Sequence, residues 1–307
     1  MKQITLFIIV AVYATTQTYA QCACCAGAGA GSSNGDYNSG ILTLSKNQLI
    51  AESYGDYRTI KNGDAQLDEE TLLKSMFITS LGIQYGINKK TTVSALLPYA
   101  FLNTASGNDN GLGDLVLMGT YSMYSKNNFN IALQVGVELP TGIQKSSSFD
   151  NTTIVVGSGS FDPMAGILIS KHWGKFTLLG SGLFKYTTSG FENNYYGSIA
   201  IQNLTLSYKI KDGGNFCTMD TLNKKQASNL GWNLFGGYYG EWLDQLKEDT
   251  ITDENSGYYL GFANLGTNLS YKNWSLPLTL SLHIISNMNG NQNDAGFRLR
   301  IGILKLF

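Results

Sequence analysis

Beyond its first twenty residues, this 307-residue sequence has no apolar run long enough to cross a bilayer as a helix. A membrane-spanning helix needs about 20 predominantly apolar residues. Here every later apolar stretch is broken within a few positions by Gly, Ser, Thr, Asn or a charge, so a helical membrane protein is excluded. Charge is also scarce, at 14% of residues against the ~25% usual in soluble domains. Net charge is −1 and no Lys/Arg cluster occurs, which removes the electrostatic basis for nucleic-acid binding. Proline occurs only 4 times, and neither a Pro/Ser tract nor a shift in composition divides the chain. A single domain is therefore expected.

What is abundant is Gly (35), Tyr (18) and Phe (14). The chain opens with Lys2, an apolar run from Ile4 to Ala14, and the small-residue site Thr18-Tyr19-Ala20 before Gln21. This order is that of a secretory signal peptide, so residues 1–20 are expected to be removed.

From there on, strand-length segments alternate with period two, the pattern of strands with two unlike faces. Phe129, Ile131, Leu133, Val135, Val137 and Leu139 share one face, and Asn130, Ala132, Gln134, Gly136, Glu138 and Pro140 the other. Leu276, Leu278, Leu280, Leu282 and Ile284 form another apolar row, and Phe297, Leu299, Ile301 and Ile303 a third.

Twelve strands are predicted, near 45–60, 75–87, 91–103, 111–124, 129–142, 159–173, 176–190, 195–210, 229–245, 257–271, 275–288 and 295–307. Most match the ~9–11 residues that cross a bilayer at a tilt. In lipid every backbone amide needs a partner, so the sheet must close. The expected fold is all-β: a transmembrane antiparallel up-and-down β-barrel of about 12 strands over 45–307, in the outer membrane of a Gram-negative cell, after a flexible segment at 21–44.

Outer-membrane barrels have short periplasmic turns and longer outer loops. Short turns fall at 88–90, 125–128, 174–175 and 272–274, and polar loops at 61–74, 104–110, 143–158, 246–256 and 289–294. Two connections fit this alternation poorly, the short 191–194 and the long 211–228. Aromatic residues flank the turns: Tyr121, Tyr124 and Phe129 at one, Trp173 and Phe176 at another, Tyr271 and Trp274 at a third. An interfacial girdle belongs there.

The stretch from about 111 to 190 carries Gly111-Leu112-Gly113-Asp114-Leu115, Leu139-Pro140-Thr141-Gly142 and Gly157-Ser158-Gly159-Ser160-Phe161-Asp162. In these motifs it resembles the outer-membrane transporter family named for the meta-pathway of phenol degradation. The resemblance implies a barrel that passes small, often hydrophobic molecules, and it carries over no binding residues. Read physically, Gly111 and Gly113 permit a tight entry into a strand and Gly142 a turn into the outer loop.

If the apolar rows meet lipid, then Asp114, Glu138, Lys185, Glu241, His283, Arg298 and Arg300 face the lumen. Both signs are present, so they either pack as a salt-bridge network or line a polar path that sets selectivity. Barrels of this size tend to fill with side chains.

Cys22, Cys24 and Cys25 follow the cleavage site, and Cys217 lies in the long connection expected on the same side. An oxidising compartment favours a disulfide. Three thiols within four residues are also a candidate site for Cu(I) or Zn(II), and a tail without a specific role is the remaining reading.

Catalysis has little to stand on. Only His172 and His283 are available, and no Ser-His pair is arranged as an outer-membrane lipase would need it. Asp244, Glu248, Asp249, Asp253 and Glu254 lack the spacing of a calcium loop. Neither an enzyme nor a cofactor is expected.

The function expected from sequence is a channel for small, possibly hydrophobic, solutes. The alternative is a plugged structural barrel, with a partner or metal held by the Cys-rich tail. Expected partners are outer-membrane lipid, a small-molecule solute, and the barrel-assembly machinery through the last strand ending at Phe307.

Overall fold

A computed structural model describes residues 42–61, 73–104, 107–146, 153–213 and 230–307. The four cysteines, the signal peptide and residues 21–41 lie outside the described residues, as does most of the 211–228 connection.

In chain order the strands are β1 (Leu49–Lys61), β2 (Leu73–Asn88), β3 (Thr91–Thr104), β4 (Asn108–Leu112), β5 (Leu115–Lys126) and β6 (Phe129–Leu139). A small hairpin follows, β7 (Gln144–Ser146) and β8 (Thr153–Val155), then β9 (Asp162–Trp173), β10 (Phe176–Lys185), β11 (Ile199–Lys211) and β12 (Leu230–Leu243). A second small hairpin, β13 (Lys247–Glu248) and β14 (Ile251–Thr252), precedes β15 (Tyr258–Tyr271), β16 (Trp274–Met288) and β17 (Asp294–Leu306).

Leaving out the two small hairpins, each strand pairs antiparallel with its chain neighbours, and β1 pairs with β17 to close the cylinder. β4 and β5 both pair with β3 and form one stave broken at Gly113-Asp114, so the barrel has twelve staves. Closure leaves no unpaired edge for lipid to meet.

The apolar rows point outward as the alternation predicts. Leu276, Leu278, Leu280, Leu282 and Ile284 are exposed on β16, as are Phe297, Leu299, Ile301 and Ile303 on β17, while Glu138, Gln134 and Asn130 on β6 are buried inside. So large an apolar exterior suits hydrocarbon and not water. Tyr121, Tyr124, Trp173, Phe176, Tyr208, Trp232, Tyr271 and Trp274 ring the end that carries the short turns. Phe129 sits with Tyr124, their ring centroids 6.0 Å apart. At the sharpest of these turns Asn127 and Asn128 both hold positive φ, 53° and 59°, the backbone that a two-residue hairpin needs to match strand twist.

Strand ends differ from the sequence reading by a few residues at several strands, with β10 and β1 among the largest differences. β10 stops at Lys185 because Thr187 and Thr188 leave the ladder: Thr187 Oγ1 donates to Gly197 O, and the Thr188 amide donates to Asp162 Oδ1. The outer connection therefore runs from 186 to 198, and its apparent shortness disappears. β1 begins at Leu49, and the four residues before it turn into the barrel mouth.

Candidate functional site

The lumen is built in three tiers. At the outer end, the break in the stave turns Asp114 inward, where it is fully buried. Its Oδ1 accepts from the Gly142 amide at 2.7 Å, and its Oδ2 from the Ser158 amide and from Ser158 Oγ at 2.7 Å. A carboxylate is suited to several amide donors at once. The outer connection between β6 and β9 is thereby tied down into the mouth. Gly142 and Gly157 make this possible: a Cβ on either would come within 2.4 Å of the other's Cα.

Just beneath, Lys185 bridges Glu138 at 3.1 Å and Asp162 at 3.8 Å, with all three side chains nearly or fully buried. Beside this tier, outside the spanning segments, Tyr195 donates to Asp244 at 3.2 Å and accepts from the Ser198 amide. Burial, with Asp244 adding to it, holds its phenol above the ordinary value and keeps it a donor.

The middle tier is apolar. Met76, Ile78, Ala100, Leu102, Ile199, Ile201, Leu260 and Phe262 pack inside the outer half of the barrel, with Val156 dropping in from the tied-down connection. A polar cluster borders these apolar side chains. Glu241 accepts from Tyr239 and Tyr258 at 2.7 Å each and meets Arg298 at 3.2 Å. The Arg298 guanidinium lies 4.0 Å over the Phe262 ring, a cation–π contact that saves a buried charge from facing a purely apolar wall. The His283 ring lies tilted beside the same ring, centroids 5.3 Å apart, and approaches Asp294 at 3.5 Å.

Level with this cluster, Asp56 and Arg58 form a two-pronged pair at 3.0 and 3.1 Å, and toward the periplasmic end Gln84 donates to Glu52 at 2.9 Å. Arg300 stacks 4.8 Å over Tyr54.

The segment just before β1 crosses the lower mouth. Leu42 packs against Ala132, Leu168 and Leu179 on β6, β9 and β10, while Leu44 packs against Ile50, Leu304 and Leu306 on β1 and β17. The backbone is pinned between them: the Leu44 amide donates to Thr92 Oγ1 at 2.7 Å and Asn47 to Gly86 O at 2.8 Å. Gly86 is required here, since a Cβ would lie 2.0 Å from the Ser45 carbonyl oxygen.

The structure thus sets Asp114, Glu138, Lys185, Glu241, His283, Arg298 and Arg300 on inner walls, but in separate clusters and not along one path. Sequence reasoning missed Asp56, Arg58, Asp162 and the tyrosines on Glu241. The alternation Ile50, Glu52, Tyr54, Asp56, Arg58 was a signal that could have found the first two. Among the described residues no group of three His, Cys, Asp or Glu could hold a metal ion.

No family model matches the sequence, and no curated protein matches it. Solved structures do. The COG4313 outer membrane channel from Pseudomonas putida F1 superposes with a TM-score of 0.66 at 17% identity, covering 89% of this chain and 98% of that one. The β domain of the Bordetella autotransporter BrkA reaches 0.48 at 10% identity over 86% and 100%. The TodX monoaromatic hydrocarbon channel (a deletion mutant) reaches 0.45 at 11% identity over 88% and 92%. At these identities only the fold is shared, and the first comparison alone carries that argument. The chain is an outer-membrane β-barrel.

Proposed function

We propose that this barrel is a channel that passes small apolar solutes along the apolar inner wall beneath its outer mouth. That apolar inner wall carries the reading. A lumen meant for ions or sugars gains nothing from Met76, Ile78, Leu102, Ile201, Leu260 and Phe262 turned inward, whereas an apolar ligand is held by just such a lining with a few polar groups at its edge. The motifs of residues 111–162 support the same class, and the Pseudomonas structure of the same fold is an outer membrane channel. Asp56 with Arg58, Glu138 and Asp162 with Lys185, and Glu241 with Arg298 are already paired, which favours a path on which these charges shape the wall and are not binding sites for ions.

Uptake of a fluorescent naphthylamine by cells carrying the protein in an intact outer membrane tests this. Faster entry than in cells without it is expected, and Ala100→Trp, which adds bulk to this apolar inner wall, should abolish the gain. Equal uptake with and without the protein would overturn the reading.

A second reading has its own observation. Both mouths carry inserted chain, Leu42–Gln48 below and residues 141–143 and 156–160 of the outer connection above, as a plugged structural barrel would. Planar-bilayer conductance separates the two, since a plugged barrel passes neither ions nor small solutes.

A further inference from the structure

The outer wall carries a dent that the lumen does not explain. On the lipid-facing side of β9 to β12, a cavity of about 760 Å³ lies over Gly182 and Ala200. Ala165 and Ile167 flank it on β9, and Phe184 and Trp242 wall its outer end. Gly182 and Ala200 leave the space empty: a Cβ at Gly182 would meet only Ile167, at 3.9 Å. Its long edge is polar, which is unusual for a face in hydrocarbon. There the Gln202 amide donates to Tyr259 OH at 2.6 Å, and Tyr259 OH shares a hydrogen bond with Tyr238 OH. Gly240 and Gly261 make room for this trio, since a Cβ on either would lie within 2.8 Å of its polar atoms.

Polar side chains in a membrane are costly, and those that persist there serve a purpose. Gln202 is exposed, and that single hydrogen bond uses one of its two amide hydrogens. One N–H and the carbonyl oxygen remain for a ligand. Position defines the ligand further. Gln202, Trp242 and Tyr259 lie within four residues of the outer strand ends, the level of interfacial aromatics. An ester-linked lipid places its carbonyl at this level and its chain deeper.

We infer that the dent is a binding site for one acyl chain of an outer-leaflet lipid, its ester group held by Gln202. The chain lies over Gly182, against Ile167 and Phe184. A second copy of the protein is the poorer occupant: eleven residues line the dent, against the ~20–30 a side of a stable protein interface. A dissolved solute is also poorer, because the dent opens sideways into lipid. The site is independent of any passage through the lumen.

Of the four tryptophans, Trp173, Trp232 and Trp274 sit at the opposite membrane face. Replacing those three with Phe leaves Trp242 as a reporter inside the dent. In vesicles containing small fractions of chain-brominated phosphatidylcholine, quenching of Trp242 should exceed the bulk proportion by about three- to tenfold, the preference one hydrogen bond gives in hydrocarbon. Gly182→Leu should return it to proportionality, Gln202→Leu should lower it, and Gly180→Leu, on the same face two residues deeper, should leave it unchanged. Quenching of the unfilled protein that simply follows bulk composition would overturn the proposal, as would a cross-linked dimer that shields Trp242 from quencher.

Discussion

Arg298 on β17 reaches Glu241 on β12 at 3.2 Å although two whole strands, β15 and β16, stand between them in the sheet. The contact spans the lumen wall as a chord and ties the last stave to one 57 residues earlier in sequence. Removing one partner of such a pair leaves a buried charge uncompensated, at a cost of ~3–5 kcal/mol. Arg298→Met should lower unfolding stability in lipid by about that much. Adding Glu241→Gln should restore part of it, since coupled partners are non-additive by ~0.5–3 kcal/mol. Urea titration of the two single variants and the double variant checks this, and strict additivity would mean that the pair is not coupled.

Lys185 on β10 holds two carboxylates, Asp162 on the neighbouring β9 and Glu138 on β6 one strand further round the wall. Lys185→Met leaves two like charges facing each other in a buried site and should cost at least ~3 kcal/mol. The triple neutral variant with Glu138→Gln and Asp162→Asn should be far less damaged. The same titration decides it, and a triple variant as unstable as Lys185→Met would refute the electrostatic account.

Asp114 anchors the outer connection through three hydrogen bonds. Each bond to a charged acceptor is worth ~1.5–3 kcal/mol, so Asp114→Ala should free the connection without unfolding the barrel. Amide exchange at Val156–Ser160 should accelerate while the strand ladders stay protected. Unchanged exchange at these residues would show that the connection is held by other contacts.

At the other mouth, Leu42 and Leu44 pin the crossing segment to opposite walls. Leu42→Ser with Leu44→Ser removes most of that apolar contact, each leucine being worth ~1.5–3 kcal/mol when buried. Single-channel conductance should rise and become noisier. An identical current trace would mean that the segment does not limit the pore.

The lipid-facing assignment has its own test at Leu265, the midpoint of β15 and 62% exposed. Leu265→Arg should cost ~2–4 kcal/mol, the midplane penalty for a cation on a barrel exterior. Stability measured in bilayers should show this loss, and a neutral effect would place that face in water.

Much of this architecture was legible in residues such as Leu276, Leu278, Leu280 and Leu282, whose period of two fixes a strand and gives it two unlike faces. The same alternation placed Glu138, Glu241 and Arg298 inside. It could not say which of them meet, nor that Lys185 ends its strand. Thr187 and Thr188 are good strand residues by type, and only their bonds to Gly197 and Asp162 take them out of the ladder. Leu42 and Leu44 carried no signal beyond being apolar next to a Gly/Ala-rich tract.

Sequence alone determined a strand number of about twelve, the inner and outer faces and the closed antiparallel order, because these follow from local pattern and from the need to pair every backbone amide in lipid. Tertiary structure decided the rest. Closing the sheet brings opposite walls within side-chain reach, and the curvature sets Arg298 against Glu241, Leu42 against Leu168, and Val156 into the apolar cluster. Those distances belong to the cylinder, and no single strand contains them.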